Sequence, residues 1–349
     1  MKLKVLFLSH SADSGVFKVG SHHLARELSK MSLSVAHVST PHSIVHKVLR
    51  RRPMKHSGSG FFDEFGTLHA IPNVFLPVQF SRSGRQIGKL IDRIGFGDAD
   101  YVLVDQPLMS GYLTDCDIPG KIVYRPTDTY SNRVAALRQN DVLRVCRGVV
   151  ATSAAVLNDL SIPDRIPSMV LTNGVELERF TEGASEQRRG FVYVGAVDYR
   201  FDWDSVLAIA KAFPGENLSL IGPVSVNAHS LPSNVSLVGS VPYEEIPKYM
   251  SRARVGLIPL NQSDVNQGRS PMKYYEYLAA GLTVVATSTE SLRERRSPQT
   301  LLFDTPREAV ASSEVALEMP SPNAEGMTAA AAQDWGGKAA SLLQFLRSL

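Results

Sequence analysis

Lys273 and Glu276 stand three residues apart in the stretch Ser270–Gly281, SPMKYYEYLAAG. On a helix, that spacing sets two side chains at neighbouring positions of one face. Pro271 suits a helix start, where the backbone N–H that proline lacks would have no partner. The remaining unpaired N–H groups and the partial positive charge of a helix start favour a phosphate. Lys273 adds a full positive charge beside them, and Glu276 brings a carboxylate that accepts the hydrogens of a diol. A cation for phosphate and a carboxylate for a sugar diol are together what a nucleotide sugar requires of its site. The plainer alternative is an exposed helical pair that contributes roughly 0.2–0.5 kcal/mol. The context favours the site: a buried strand, Val255–Leu260, runs into a polar loop, Asn261–Arg269, and then into this helix. Sheets of α/β type present ligand-binding groups at such strand ends.

The elements needed to hold that helix recur along the chain. Lys4–Leu8 reads as a buried strand, followed by the Ser/Gly-rich loop His10–Gly20 and a helix, Ser21–Met31, with Leu24, Leu28 and Met31 at helical spacing. Val35–Val38, Tyr101–Val104, Ile122–Tyr124, Gly148–Thr152 and Val170–Thr172 read as further strands, and Val74–Phe80 as strand or extended chain. Gln86–Ile94, Arg133–Cys146 and Ala154–Leu160 read as helices. After the polar stretch Asn173–Arg189 the alternation restarts, with strands at Phe191–Gly195, Leu218–Ile221, Val235–Leu237, Val255–Leu260 and Thr283–Ala286, and one more at Thr300–Phe303. The tract Ala311–Ala332 is weakly specified, and Asp334–Leu349 closes as an amphipathic helix. The expected fold class is therefore α/β: two Rossmann-like parallel-sheet domains, residues 1–172 and 190–325, facing across a cleft. Residues 173–189 would link them, and a C-terminal helix within 326–349 could cross back to the first.

The 349 residues are 44% hydrophobic and 20% charged, as in an ordinary soluble globular chain. The net charge of +3 hides an asymmetry. Residues 1–170 hold 21 Lys/Arg against 14 Asp/Glu, and the rest hold 16 against 20. A basic first half fits an anionic partner. The Arg50-Arg51-Arg52 run and the amphipathic Gln86–Ile94 segment point to a membrane surface with anionic headgroups. Neither interleaves aromatics with its charges as a binder of single-stranded nucleic acid does, so no nucleic acid is expected. Two cysteines, Cys116 and Cys146, make no disulfide framework and fit a reducing compartment. The apolar run at the start is too short for a signal peptide core or a membrane span, so a cytoplasmic protein, peripheral at the inner membrane face, is expected.

Taken in order, FVYVGAVD, LSLIGP, VSLVGSVPYEEIPKYM, ARVGLIPL and PMKYYEYLAAGLTVVAT resemble the donor-binding half of a GT-B glycosyltransferase over roughly residues 170–287. IVYRPTDTY and LSHSADSGVFKVGSHHLARELS resemble, more loosely, the first half of the xanthan-type (GumK-like) inverting glucuronosyltransferases. The resemblance implies sugar transfer from a nucleotide sugar, UDP-linked by expectation, to a hydroxyl of a glycan or glycolipid, with no metal or other cofactor. It implies donor contacts from Lys273, Glu276 and the backbone near Met272, from Ala196 and Val197 beside Gly195, from Arg200, and from Val241. Asp128 matches the position of the family's general base. Acceptor contacts are expected from His10, Ser11 and His23 around the first loop.

Each assignment has a competitor. Asp128 could instead cap the helix that follows, Asp105 is another carboxylate at a strand end, and Arg125 could orient either. The histidines suggest a metal, but no compact Cys/His/Asp set accompanies them. Asp202-Trp-Asp204 has the form of a metal-binding DxD, yet it opens a helix and reads better as a cap. Retaining family 4-type transferases carry two glutamates eight positions apart; counting back from Glu276 lands on Gly268, with Asp264 nearby. A sugar-nucleotide epimerase or a non-catalytic nucleotide-sugar binder could share the doubled architecture.

Overall fold

The computed structural model describes residues 2–10, 18–45, 59–80, 83–130, 133–181, 187–225, 230–263, 266, 270–295 and 297–349. The chain divides into two compact units: Met1–Thr172 with Trp335–Leu349, and Asn173–Asp334.

In the first unit, β1 (Lys4–Leu8), β2 (Ser34–Val38), β4 (Gly60–Phe62), β5 (Leu68–Ala70), β7 (Tyr101–Val104), β8 (Lys121–Tyr124), β9 (Gly148–Ala151) and β10 (Ser168–Val170) form one sheet. A short pair, β3 (His42–Ser43) and β6 (Asn73–Val74), stands apart from it. The order is β10-β9-β8-β7-β1-β2-β5-β4, parallel except for β4 against β5. Val5, Leu6, Phe7 and Leu8 are all fully buried, so β1 is a continuous apolar run because both of its faces are covered. The strand order reverses between β1 and β7. Residues just past those strands, Ser9 and His10 on one side and Asp105 on the other, therefore lie where such a sheet opens a crevice.

The second unit repeats the plan with β11 (Phe191–Val194), β12 (Leu218–Ile221), β13 (Val235–Gly239), β14 (Val255–Ile258), β15 (Thr283–Thr287) and β16 (Thr300–Phe303). Its order is β13-β12-β11-β14-β15-β16, all parallel. The order reverses between β11 and β14. Gly195 follows the first of these, and the chain leading to Lys273 follows the second. Separate apolar clusters cover the two sheet faces, one built around Tyr274, Tyr277 and Leu278, the other around Phe191, Trp203 and Ile209.

Two expectations change and a third holds. Residues 173–189 are not simply a linker: Val175 and Phe180 are buried in the second unit's core. The weakly specified Ala/Ser tract folds as two helices, Pro306–Glu318 and Ala324–Ala331, the first closed by a capping box between Thr305 and Glu308. The final helix, Trp335–Ser348, lies within a residue of the expected Asp334–Leu349 and returns to the first unit, where it packs on the helix Gly20–Lys30.

Candidate functional site

The helix expected at Met272 runs over Met272–Ala279. It is wrapped in protein: Tyr274, Tyr275, Tyr277 and Leu278 are all buried. The Tyr277 hydroxyl fixes it to the sheet by accepting from the Val194 N–H at 2.8 Å and donating to the Leu257 carbonyl at 3.3 Å. Gly256 makes room for that ring, since a Cβ there would stand 2.4 Å from it. The N-terminus of the helix is held from the unit's first residue. Asn173 donates through its side chain to the Ser270 carbonyl at 2.7 Å, and its own N–H reaches Ser270 Oγ at 3.3 Å.

Lys273 and Glu276 are not an exposed ion pair. Glu276 is 6% exposed and accepts a hydrogen bond from the Tyr243 hydroxyl at 2.9 Å. Lys273 extends to the end of β11, where its ammonium lies 4.2 Å from the centroid of the Tyr193 ring. Gly195 leaves the space for it: a Cβ there would sit 2.4 Å from Lys273 Nζ. Burial raises the Glu276 carboxyl to about 7, against the pull of the Tyr243 hydrogen bond and Lys273. Burial lowers Lys273 to about 8, with Arg200 adding to the effect and Glu276 opposing it. An acid and a base are thus brought toward neutrality on neighbouring turns of one buried helix, which marks ligand sites more often than scaffolding.

The ends of β11, β12 and β13 carry Gly195, Gly222 and Gly239, with φ of 147°, 140° and 81°. A Cβ on Gly222 would meet the Gly195 carbonyl at 2.0 Å. The three backbones therefore close up with no side chain over the strand ends, the condition for a ligand to lie on main chain. Around this edge, Met272, Ala196 and Val241 are partly buried. Val197 is fully buried and its N–H is taken by the Pro223 carbonyl, so neither group is presented outward. Arg200 is engaged with Asp198 through both its Nε and Nη2. Burial alone would raise the Asp198 carboxyl, but the Arg200 contacts outweigh it and hold it low. Arg269, Gly268 and Asp264 lie outside the described residues.

In the first unit, Asp105 and Arg125 are each 1% exposed and form an ion pair at 2.6 Å, with Ser9 Oγ donating to Asp105 at 3.3 Å. That pairing fixes the Asp105 carboxylate at the end of β7; burial raises it against the pull of Arg125 and His10, and its Oδ1 has no hydrogen-bond partner among the described residues. Asp128 is only partly buried, within electrostatic reach of His10. His10 lies between Gln106 and Thr127. The Leu108 N–H donates to Gln106 Oε1 at 3.2 Å, which turns the amide Nε2 toward His10 Nδ1 at 3.0 Å. His10 Nε2 therefore carries the hydrogen and donates to Thr127 Oγ1 at 3.0 Å. Burial lowers His10 below its ordinary value against the pull of Asp105 and Asp128, so it is a neutral imidazole with both nitrogens engaged.

His23 is not brought to a surface. It is 2% exposed, and its ring stacks on Trp335 with centroids 5.0 Å apart, a packing role for a residue expected at an acceptor. Ser11 and the Arg50-Arg51-Arg52 run lie outside the described residues. Asp202 accepts from the Ser205 N–H at 3.1 Å and caps the helix Trp203–Ala212. Among the described residues no group of three or more His, Cys, Asp or Glu is arranged to hold a metal ion. Sequence reasoning missed Tyr193, Tyr243 and Asn173, which support Lys273, Glu276 and the helix start from far along the chain.

The edge that carries the glycines, Lys273 and Glu276 lies within a stretch that matches a known family. Residues 188–318 match the family model of the group 1 glycosyl transferases. TuaH of Bacillus subtilis (strain 168), provisionally named a teichuronic acid biosynthesis glycosyltransferase, is 29% identical over 164 residues, which are 42% of this chain and 41% of TuaH. The match thus spans about two-fifths of that curated relative. Sucrose-phosphate synthase from Thermosynechococcus elongatus has the same fold, with a TM-score of 0.78 at 14% identity over 99% of both chains. HepE from Anabaena, in complex with UDP and glucose, follows at 0.73 and 13%, covering 99% of this chain and 100% of its own. The fold is that of the GT-B glycosyltransferases. The group 1 match takes in Gly195, Arg200, Val241, Lys273 and Glu276 and leaves out His10 and Asp128.

Proposed function

We propose that this protein is a GT-B glycosyltransferase that moves a sugar from a UDP-sugar to a hydroxyl of a lipid-linked glycan or polysaccharide. The observation that carries this is the pairing of Lys273 and Glu276 at the glycine-edged strand ends, within the region that matches the group 1 family. In this reading the diphosphate lies at the start of the Met272–Ala279 helix beside Lys273, and the Glu276 carboxylate accepts the ribose hydroxyls. HepE, a neighbour in fold, was solved with UDP and glucose, which supports the choice of donor.

Transfer then proceeds with inversion. Asp128 takes the proton of the acceptor hydroxyl as its oxygen bonds to the anomeric carbon, and the bond from that carbon to the diphosphate oxygen breaks. UDP departs with the electron pair, its charge stabilised by Lys273 and the helix start without a metal. Asp128 is preferred to His10 because both nitrogens of His10 are already hydrogen-bonded. The resemblance to xanthan-type enzymes makes glucuronate the first sugar to test. The decisive experiment offers labelled UDP-sugars, UDP-glucuronate among them, with lipid-linked acceptors to the native protein and to Asp128→Asn. Transfer should fall at least a hundredfold in the variant while UDP binding is kept. Donor isomerised without acceptor would mean an epimerase, and unchanged transfer would remove Asp128 as the base.

A membrane surface is the partner that this acceptor implies, and the first unit offers an apolar ridge for it. Ile44 and Val45 follow β3 as the start of a helical turn, and Phe75 and Leu76 follow its partner β6 in a bend; these four, with Phe80, are 38–75% exposed. The Gln86–Ile94 segment, by contrast, does not supply an interfacial face. Its helix, Gly84–Arg93, packs Ile87, Leu90 and Ile91 into the unit's own core.

A further inference from the structure

A cavity of about 550 Å³ opens in the second unit at the amino ends of its strands, away from the glycine-edged carboxyl ends. Arg188 and Arg189 stand just before β11, Arg254 just before β14 and Glu216 just before β12; Glu314 and Glu318 reach it from the helix Pro306–Glu318. The volume falls in the ordinary range for small-molecule sites. From Arg189 to Gly195, six residues along the strand, is roughly 20 Å. The two sites are therefore separate.

Arg188 is the feature that asks for a ligand. It is 9% exposed, yet its Nε and Nη1 have no hydrogen-bond partner. Arg254 likewise leaves Nε unpartnered, while its Nη2 donates to the Met319 carbonyl at 2.8 Å. Glu216 Oε2 is a buried acceptor with no donor. Among the described residues no ion pair joins these arginines to the glutamates across the cavity. A guanidinium withdrawn from water without a partner is costly, and a planar fork of N–H donors fits an oxyanion better than any other group.

We propose that this cavity binds a phosphorylated sugar. Its phosphate would lie on the forks of Arg188 and Arg254, and its hydroxyls would donate to Glu216 and the glutamates at the rim. Arg188 also stands beside Gly281, where a Cβ would lie 3.6 Å from Nη2, so the ligand would sit at the far end of the helix that carries Lys273.

Titration calorimetry with glucose 6-phosphate, inorganic phosphate and glucose on the full chain tests this. Glucose 6-phosphate should bind the native protein and Lys273→Met equally, and at least tenfold more weakly to Arg188→Met and to Arg254→Met. Inorganic phosphate should bind more weakly than the sugar phosphate, and glucose not at all. Without ligand, Arg188→Met should melt at the same or a higher temperature, because it removes an unpaired buried charge. The proposal is overturned if neither phosphate compound binds, if binding survives both arginine variants, if Lys273→Met abolishes it, or if unliganded Arg188→Met melts lower. If Arg188→Met cannot be obtained folded, Arg254→Met decides the binding result alone.

Discussion

Glu276 and Lys273 are each moved toward neutral pH by burial, and that gives the free protein a measurable signature. The Glu276 carboxyl lies at about 7 against an ordinary 4.5, so between those values the folded chain keeps a proton that the unfolded chain has lost. Stability therefore falls as pH rises through that window. Lys273 lies at about 8 against an ordinary 10.5; between those values the unfolded chain keeps the proton, and stability rises with pH. Melting temperature should thus pass through a minimum between about pH 7 and 8. In that same interval both groups carry the charges that a nucleotide sugar needs, so UDP-glucose should stabilise most where the free protein is weakest. Glu276→Gln should abolish the decline on the acid side, and a profile that kept it would show that another group titrates there. Both residues were singled out by their spacing together with the buried strand, polar loop and Pro271 that precede them. Their supports were not, because Tyr243 reaches Glu276 across 33 positions and Tyr193 lies under Lys273 across 80, distances at which a local pattern carries no signal.

The Met272–Ala279 helix could be read to within a residue because its neighbours left no choice: an apolar strand, a polar loop and Pro271 come before it and Gly281 after. What the pattern could not say is that the helix is covered on all sides and held at its start by Asn173. Asn173→Ala removes the side-chain donor to the Ser270 carbonyl and leaves the backbone N–H in place. It should cost about 1–2 kcal/mol of stability and weaken UDP binding, measured by chemical unfolding and by titration. Intact UDP binding with the stability loss would confine Asn173 to the fold. The Gly84–Arg93 helix teaches the converse lesson. Its apolar stripe was plain in the sequence, but a stripe names a buried face and not what buries it, and here the unit's own core does. The linker reading failed for a related reason: a mainly polar stretch hid two apolar residues, Val175 and Phe180, that reach the core.

Across the whole molecule, the charge asymmetry and the exposed apolar ridge fall on the same unit. In flotation with anionic vesicles, Phe75→Ser with Phe80→Ser should lower the bound fraction severalfold at low salt, and added salt should lower it further. Flotation unaffected by the pair would remove the ridge as the docking surface. The doubled sheet was legible because strand–helix alternation is a local signal repeated many times. The return of the last helix was visible only as amphipathicity, and its boundary was set by Trp335, whose ring packs on His23. That return bears on how the protein is made. The second unit is one continuous segment and can fold as soon as it leaves the ribosome, whereas the first must wait for Trp335–Leu349, translated after all of the second. At about 5–20 residues per second the wait is on the order of ten to thirty seconds. Through that interval the surface of the Gly20–Lys30 helix that will hold Trp335 stays uncovered, an apolar face open to non-native contacts.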